Sequence, residues 1–167
     1  MPRLAHMIPC RLRRTRGGSG SARASAGFTL VEMLIAVSMV GILAAVAYPS
    51  YRDFVVRGAL MDGVSGLSGT AAQMERHFQD NRSYQTVGAF TSPCELPAAQ
   101  QTFGGFVVRC ATGFPTATTF TLEAVGSGRV AGFVFTVNEL GARATTAVPT
   151  GWTACATKWI TRKGESC

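Results

Sequence analysis

Apolar positions fall into three regimes along this chain. From Phe28 to Ala47 they run almost unbroken for 20 residues, with Glu32 the only charge among them. As a helix that run is about 30 Å long, the thickness of a bilayer's hydrocarbon core. Beyond it, Tyr51, Phe54, Val55, Ala59, Val64, Leu67, Ala71, Met74 and Phe78 recur mostly at steps of three or four. Arg52, Asp53, Arg57, Asp62, Gln73, Glu75 and Arg76 fill much of the remainder, so the pattern is that of an amphipathic helix. One helix is predicted from about Phe28 to about Phe78, roughly 75 Å if unbroken. Its second half should pack on a globular head. Gly41 and Pro49 interrupt it, and proline's missing donor predicts a kink near Ala45–Pro49. Gly58, Gly63, Gly66 and Gly69 lower helix propensity further.

The third regime reads as sheet. Residues 79–102 are rich in Asn, Ser, Pro and Gln and predict a loop. Strands are predicted over Phe103–Cys110, Thr118–Val125 and Val130–Val137, with Gly126-Ser127-Gly128 as a hairpin turn and Glu139-Leu140-Gly141 as another. A short strand near Lys158–Thr161 is a fourth candidate. The fold class is therefore α+β: a long N-terminal helix, membrane-spanning in its first half, packed on a small antiparallel sheet.

Charge changes the picture once it is divided by region. The 167 residues carry a formal net charge of +7. Of sixteen basic residues, six arginines lie in residues 1–27 without an acid, leaving ten against nine acids. The basicity belongs to the leader, where positive charge beside an apolar segment favours the cytoplasmic side. A nucleic-acid reading of the whole chain's charge is excluded. Cys10 lies in the leader, whereas Cys94, Cys110, Cys155 and Cys167 all follow the apolar run. An even set in an exported domain points to two disulfides. Of the three possible pairings, Cys94–Cys110 and Cys155–Cys167 close local loops.

The N-terminal elements discriminate between export signals. Ala24-Ser25-Ala26 could serve as a secretory cleavage site, but residues 10–26 supply Arg, Gly and Ser where an apolar segment is needed. Arg13-Arg14 is likewise followed by polar residues. In Gly27-Phe28-Thr29-Leu30-Val31-Glu32 the apolar segment instead follows the Gly, and a carboxylate sits inside it. A charge in hydrocarbon is costly, so residues of this kind are rare and functional. This arrangement resembles the N-terminus of type IV prepilins, as does the spacing from Phe28 to Pro49 and Tyr51. The long leader leaves a translation start at Met7 open.

The resemblance implies a type IV pilin fold and a division into three parts. Residues 1–27 would be a leader removed after Gly27 by prepilin peptidase, which methylates the new Phe28 amine. Residues 28–50 would be the transmembrane and assembly half of the helix, and 51–167 the head. It implies that Glu32 pairs with the Phe28 amine of a neighbouring subunit, and that Gly41 and Pro49 bracket a segment able to melt in the filament. The implied partners are other pilin subunits, the peptidase, the assembly machinery and the inner membrane. The implied location is the inner membrane with the head in the periplasm, then the extracellular pilus of a Gram-negative bacterium. The chain looks most like a minor pilin with two cysteine pairs, because Gly151-Trp152-Thr153-Ala154-Cys155 precedes a basic loop and a final cysteine.

Other readings stay open. A type II secretion pseudopilin shares this N-terminus. A DNA-uptake pilin would use Lys158, Trp159, Arg162 and Lys163, which cluster in the eleven residues between Cys155 and Cys167 and could grip a phosphate backbone. No nucleophile motif, phosphate loop or metal-ligand cluster appears. His6 and His77 are the only histidines, and His77 reads as a solvated helix residue. No enzyme activity and no cofactor is expected.

Overall fold

The computed structural model describes residues 27–167. The basic leader, with Cys10 and all but the last residue of the expected cleaved segment, lies outside the described residues. Two compact units divide between Val40 and Gly41. One helix, α1, is assigned over Leu30–Asn81 and continues through Gly41 and Pro49. In the first unit its side chains are exposed throughout. In the second unit Leu60, Gly63, Leu67, Thr70, Met74 and His77 are buried, which is the three- and four-residue spacing of one helical face. The expected stripe ran through Tyr51 and Phe54. Both are exposed instead, at 66% and 73%, and the packed face is centred on Leu60, Leu67 and Met74.

That face rests on a five-stranded antiparallel meander in the order β1-β2-β3-β4-β5. The strands are β1 (Thr102–Phe103), β2 (Phe106–Cys110), β3 (Thr121–Gly126), β4 (Val134–Asn138) and β5 (Arg143–Ala147). The single strand expected over Phe103–Cys110 is two. Gly104 (φ +57°) and Gly105 (φ +95°) form a two-residue hairpin turn, with Phe103 paired to Phe106. Positive φ at both central residues gives the turn whose twist matches the flanking strands. The strand expected near Lys158–Thr161 is not formed. The added strand is β5, and among the described residues its backbone bridge to the tail is the pair Thr145 and Cys155.

Alternation along the strands sends Phe106 and Val108, Leu122 and Ala124, and Phe135 and Val137 into one core with α1. Fully burying each large side chain stabilises by roughly 1.5–3 kcal/mol. Phe78 and Tyr84 stack with ring centroids 4.5 Å apart, and Phe120 meets Tyr84 edge-on at 4.8 Å. This aromatic group closes the C-terminal end of α1 against the sheet. Polar groups inside are satisfied. Thr70 donates to Gln101 Oε1 at 3.1 Å, and Gln101 Nε2 donates to the Pro93 carbonyl at 2.7 Å. Gln101 thus ties α1 to the loop that precedes the sheet. His77 is buried rather than solvated. Its Nε2 lies 3.0 Å from the Gln85 carbonyl and its Nδ1 3.3 Å from Asn81 Nδ2, so Nε2 faces an acceptor and Nδ1 a donor.

Candidate functional site

The N-terminal residues form a capped and unpacked helix start. Thr29 precedes the first helical residue, and its Oγ1 accepts the Glu32 N–H at 3.2 Å. Thr29-x-x-Glu32 is the capping-box pattern. It was legible in the sequence and gives Glu32 a local role besides any role in assembly, since an acid in the first turn also complements the helix dipole. Phe28 is 77% exposed, and every large apolar residue from Leu30 to Phe54 is exposed too. A Cβ added at Gly27 or Gly41 would meet nothing within 4 Å among the described residues. The fold itself therefore places no demand for glycine there.

The four cysteines after the helix form two disulfides, Cys94–Cys110 and Cys155–Cys167. The first ties the 3-10 turn Pro93–Glu95 to the end of β2. The second closes the tail, which is folded back on β5. Thr145 exchanges two backbone hydrogen bonds with Cys155. Its buried hydroxyl donates to the Lys158 carbonyl at 3.0 Å and accepts the Ile160 N–H at 2.8 Å. The Thr145 hydroxyl thus takes the place of a missing strand partner and ties the loop to β5.

Within that loop the four basic and aromatic candidates are brought together but divided in role. Trp159 is half-buried against the core, donates its Nε1–H to the Thr136 carbonyl at 2.8 Å, and carries the Arg143 guanidinium 4.7 Å from its ring centroid. Its ring is thus engaged by Arg143 and by the core. Lys158 Nζ lies 3.2 Å from Glu165. Glu165 also accepts the Thr161 and Arg162 N–H groups at 3.2 and 3.3 Å. The Thr161 N–H above all, with Lys158 beside it, holds this carboxyl below the usual range. Arg162 and Lys163 are exposed, and no carboxylate lies within ion-pair distance of either among the described residues. Arg143 is the functional candidate that sequence reading missed, because β5 was not foreseen.

Residues 22–48 match the family described as "Prokaryotic N-terminal methylation motif", and residues 49–133 match "Type IV minor pilin ComP, DNA uptake sequence receptor". The chain belongs to the type IV pilin family. Among curated pilins, a type IV major fimbrial protein FimA of Dichelobacter nodosus is 43% identical over 54 residues, 32% of this chain and 34% of that protein. FimA of strain VCS1703A is 41% identical over 56 residues, 34% of this chain and 35% of its own. The alignment thus spans about a third of the length of these curated relatives. A solved structure of the Neisseria meningitidis non-core minor pilin PilV aligns with a TM-score of 0.46 at 19% identity, over 64% of this pilin and 99% of that chain.

Proposed function

We propose that this pilin is a minor structural subunit of a type IV pilus of a Gram-negative bacterium. Its anchor is the apolar first half of α1, held in the inner membrane with the head in the periplasm until assembly. Prepilin peptidase cuts after Gly27 and methylates Phe28, and the inner-membrane assembly machinery then adds the subunit to the filament. The observation that carries this reading is Glu32, one exposed carboxylate in the first turn of α1, within a run that is otherwise apolar and unpacked as far as Ala47. After cleavage the Phe28 amine is a cation one helical turn away. Each ion alone is costly in hydrocarbon, and pairing across two subunits offsets that cost and sets their axial register. The contact is head-to-tail, so it propagates instead of closing. Replacing Glu32 by Leu leaves insertion and processing intact and abolishes incorporation into sheared pili. Normal incorporation of that variant refutes the pairing.

A second reading rests on the matched family's description as a DNA uptake sequence receptor. Arg162 and Lys163 project from the disulfide-closed loop without carboxylate partners, and Arg143 lies nearby on Trp159. Lys158 is engaged by Glu165, so two free cations remain where the sequence offered three. Duplex binding then has a log–log salt slope of about −2 at most from this loop. A fluorescence-anisotropy titration at two salt concentrations measures it. Arg162→Ala with Lys163→Ala removes binding. Undiminished binding in that double variant overturns this loop as the contact.

A further inference from the structure

We infer that the cleft between α1 and the β3–β4 turn is a seat for the headgroup of an anionic phospholipid. Tyr48, Tyr51, Arg52, Val55 and Val56 line one side of it and Arg129, from the turn, lines the other, around a volume of roughly 380 Å³. The helix residues are spaced three and four apart, so they share one face. The two guanidiniums come from different elements. Both are exposed, and no carboxylate lies within ion-pair distance of either among the described residues. Asp53 lies well off this helical face. Asp62 lines the adjoining hollow, about 15 Å along α1 from Arg52, and Arg129 lines that hollow as well, beyond ion-pair distance of Asp62.

Two planar cations across one opening suit a phosphate, which a guanidinium binds through paired N–H donors. The floor decides which phosphate. Val55 and Val56 offer aliphatic surface, and Tyr48 and Tyr51 are amphipathic rings of the kind that settle at the membrane–water boundary. A free phosphate or a nucleic-acid backbone has no use for that floor, whereas a lipid presents phosphate and glycerol ester together. Tyr48 also directly follows the apolar run that ends at Ala47, which sets the cleft at headgroup depth. The inference rests on that run being a membrane anchor. It adds that the head is seated on lipid before assembly.

Native mass spectrometry of the full chain in mild detergent, titrated with phosphatidylglycerol or phosphatidylcholine, tests this. Two arginines near an anionic surface give an expected preference of about thirtyfold for the anionic lipid. Arg52→Gln with Arg129→Gln brings the two lipids to parity, and Arg57→Gln, on the far side of α1, leaves the preference unchanged. Equal retention by the unmodified chain overturns the inference, as does a preference that survives the double variant. Displacement of the lipid by millimolar inorganic phosphate also overturns it, because the site would then be a bare phosphate seat. Alkaline extraction of the chain from vesicles separates the two claims. A chain that washes off refutes the anchor, and one that stays without lipid preference refutes only the seat.

Discussion

Adding one methyl group to α1 should have opposite effects at two glycines only five residues apart. A Cβ on Gly63 would lie 2.5 Å from Phe106 Cδ2 and 2.7 Å from Cγ. Phe106 is wholly buried and stacked on Phe135 at 5.4 Å, so the ring cannot swing aside without disturbing the core. Forcing a methyl into such a site costs about 1–3 kcal/mol. A Cβ on Gly58 meets nothing within 4 Å among the described residues. Both substitutions gain about 1 kcal/mol of helix propensity. That gain stands alone for Gly58→Ala and is offset for Gly63→Ala. It cancels in the difference between the variants, which therefore isolates the clash at about 1–3 kcal/mol. For a head of this size the two melting temperatures then separate by about 4–12 °C. Thermal unfolding of the detergent-solubilised full chain, disulfides intact, can be followed by the fluorescence of Trp152 and Trp159. If Gly63→Ala raises Tm as much as Gly58→Ala does, the close approach of helix and sheet at Phe106 is wrong.

Three further outcomes follow from the same geometry. Tyr84 donates to both Glu75 oxygens at 3.0 and 3.1 Å, and burial first, then Glu75, pushes its pKa up to about 12. Because the folded value lies above the unfolded one near 10, this contribution is complete below pH 10 and is lost as the pH rises towards 12, on the order of 2 kcal/mol. Urea midpoints measured from pH 8 to 12 should fall less steeply for Tyr84→Phe, and parallel curves would show the phenol to be uninvolved. Gly27→Val should leave an intact, inserted precursor, since the structure opposes no side chain there; a mature N-terminus at Phe28, found by mass spectrometry in that variant, would refute cleavage after Gly27. Glu165→Gln should release Lys158 and raise duplex affinity by a few-fold at low salt, the gain expected of one added phosphate contact; unchanged affinity would separate the loop from DNA.

How much of this was legible depended on whether the interaction was local. The helix was, because its period lies along the chain: about Phe28 to Phe78 was expected and Leu30–Asn81 is found, continuous through Gly41 and Pro49. Gly104-Gly105 carried the hairpin dipeptide, yet the aromatic and β-branched run around it hid the turn. β5 could not be seen, because Arg143–Ala147 has no large apolar residue. Its inward Thr145 is satisfied by the tail thirteen to fifteen residues on. The same distance effect governs Trp159 and His77. Their partners, Thr136, Arg143 and Gln85, are set by tertiary packing, so local pattern presented both side chains as free. Even the four α1 glycines, alike in propensity, divide only in three dimensions. Gly63 and Gly66 meet Phe106 and Phe103, whereas Gly58 and Gly69 face open space.

The exposed apolar surface argues for an assembled state on its own terms. Inside the head, every buried side-chain nitrogen and oxygen among the described residues has a partner, and two disulfides close the loops. Along α1 the opposite holds, and the exposure does not stop where a bilayer would. Hydrocarbon about 30 Å thick covers roughly the 20 residues from Phe28 to Ala47. Phe54, 73% exposed, lies about 10 Å further on, and Met61, 52% exposed, a further two turns along the same side. A membrane alone therefore cannot cover the apolar side of this helix. Neighbouring helices in a filament can, since a bundle has no fixed thickness. Removing Phe54 and Met61 from water at about 25 cal/mol per Å² favours the bundle over the inserted monomer. On the proposed assembly, the head face that carries them would share the filament contact with the apolar run.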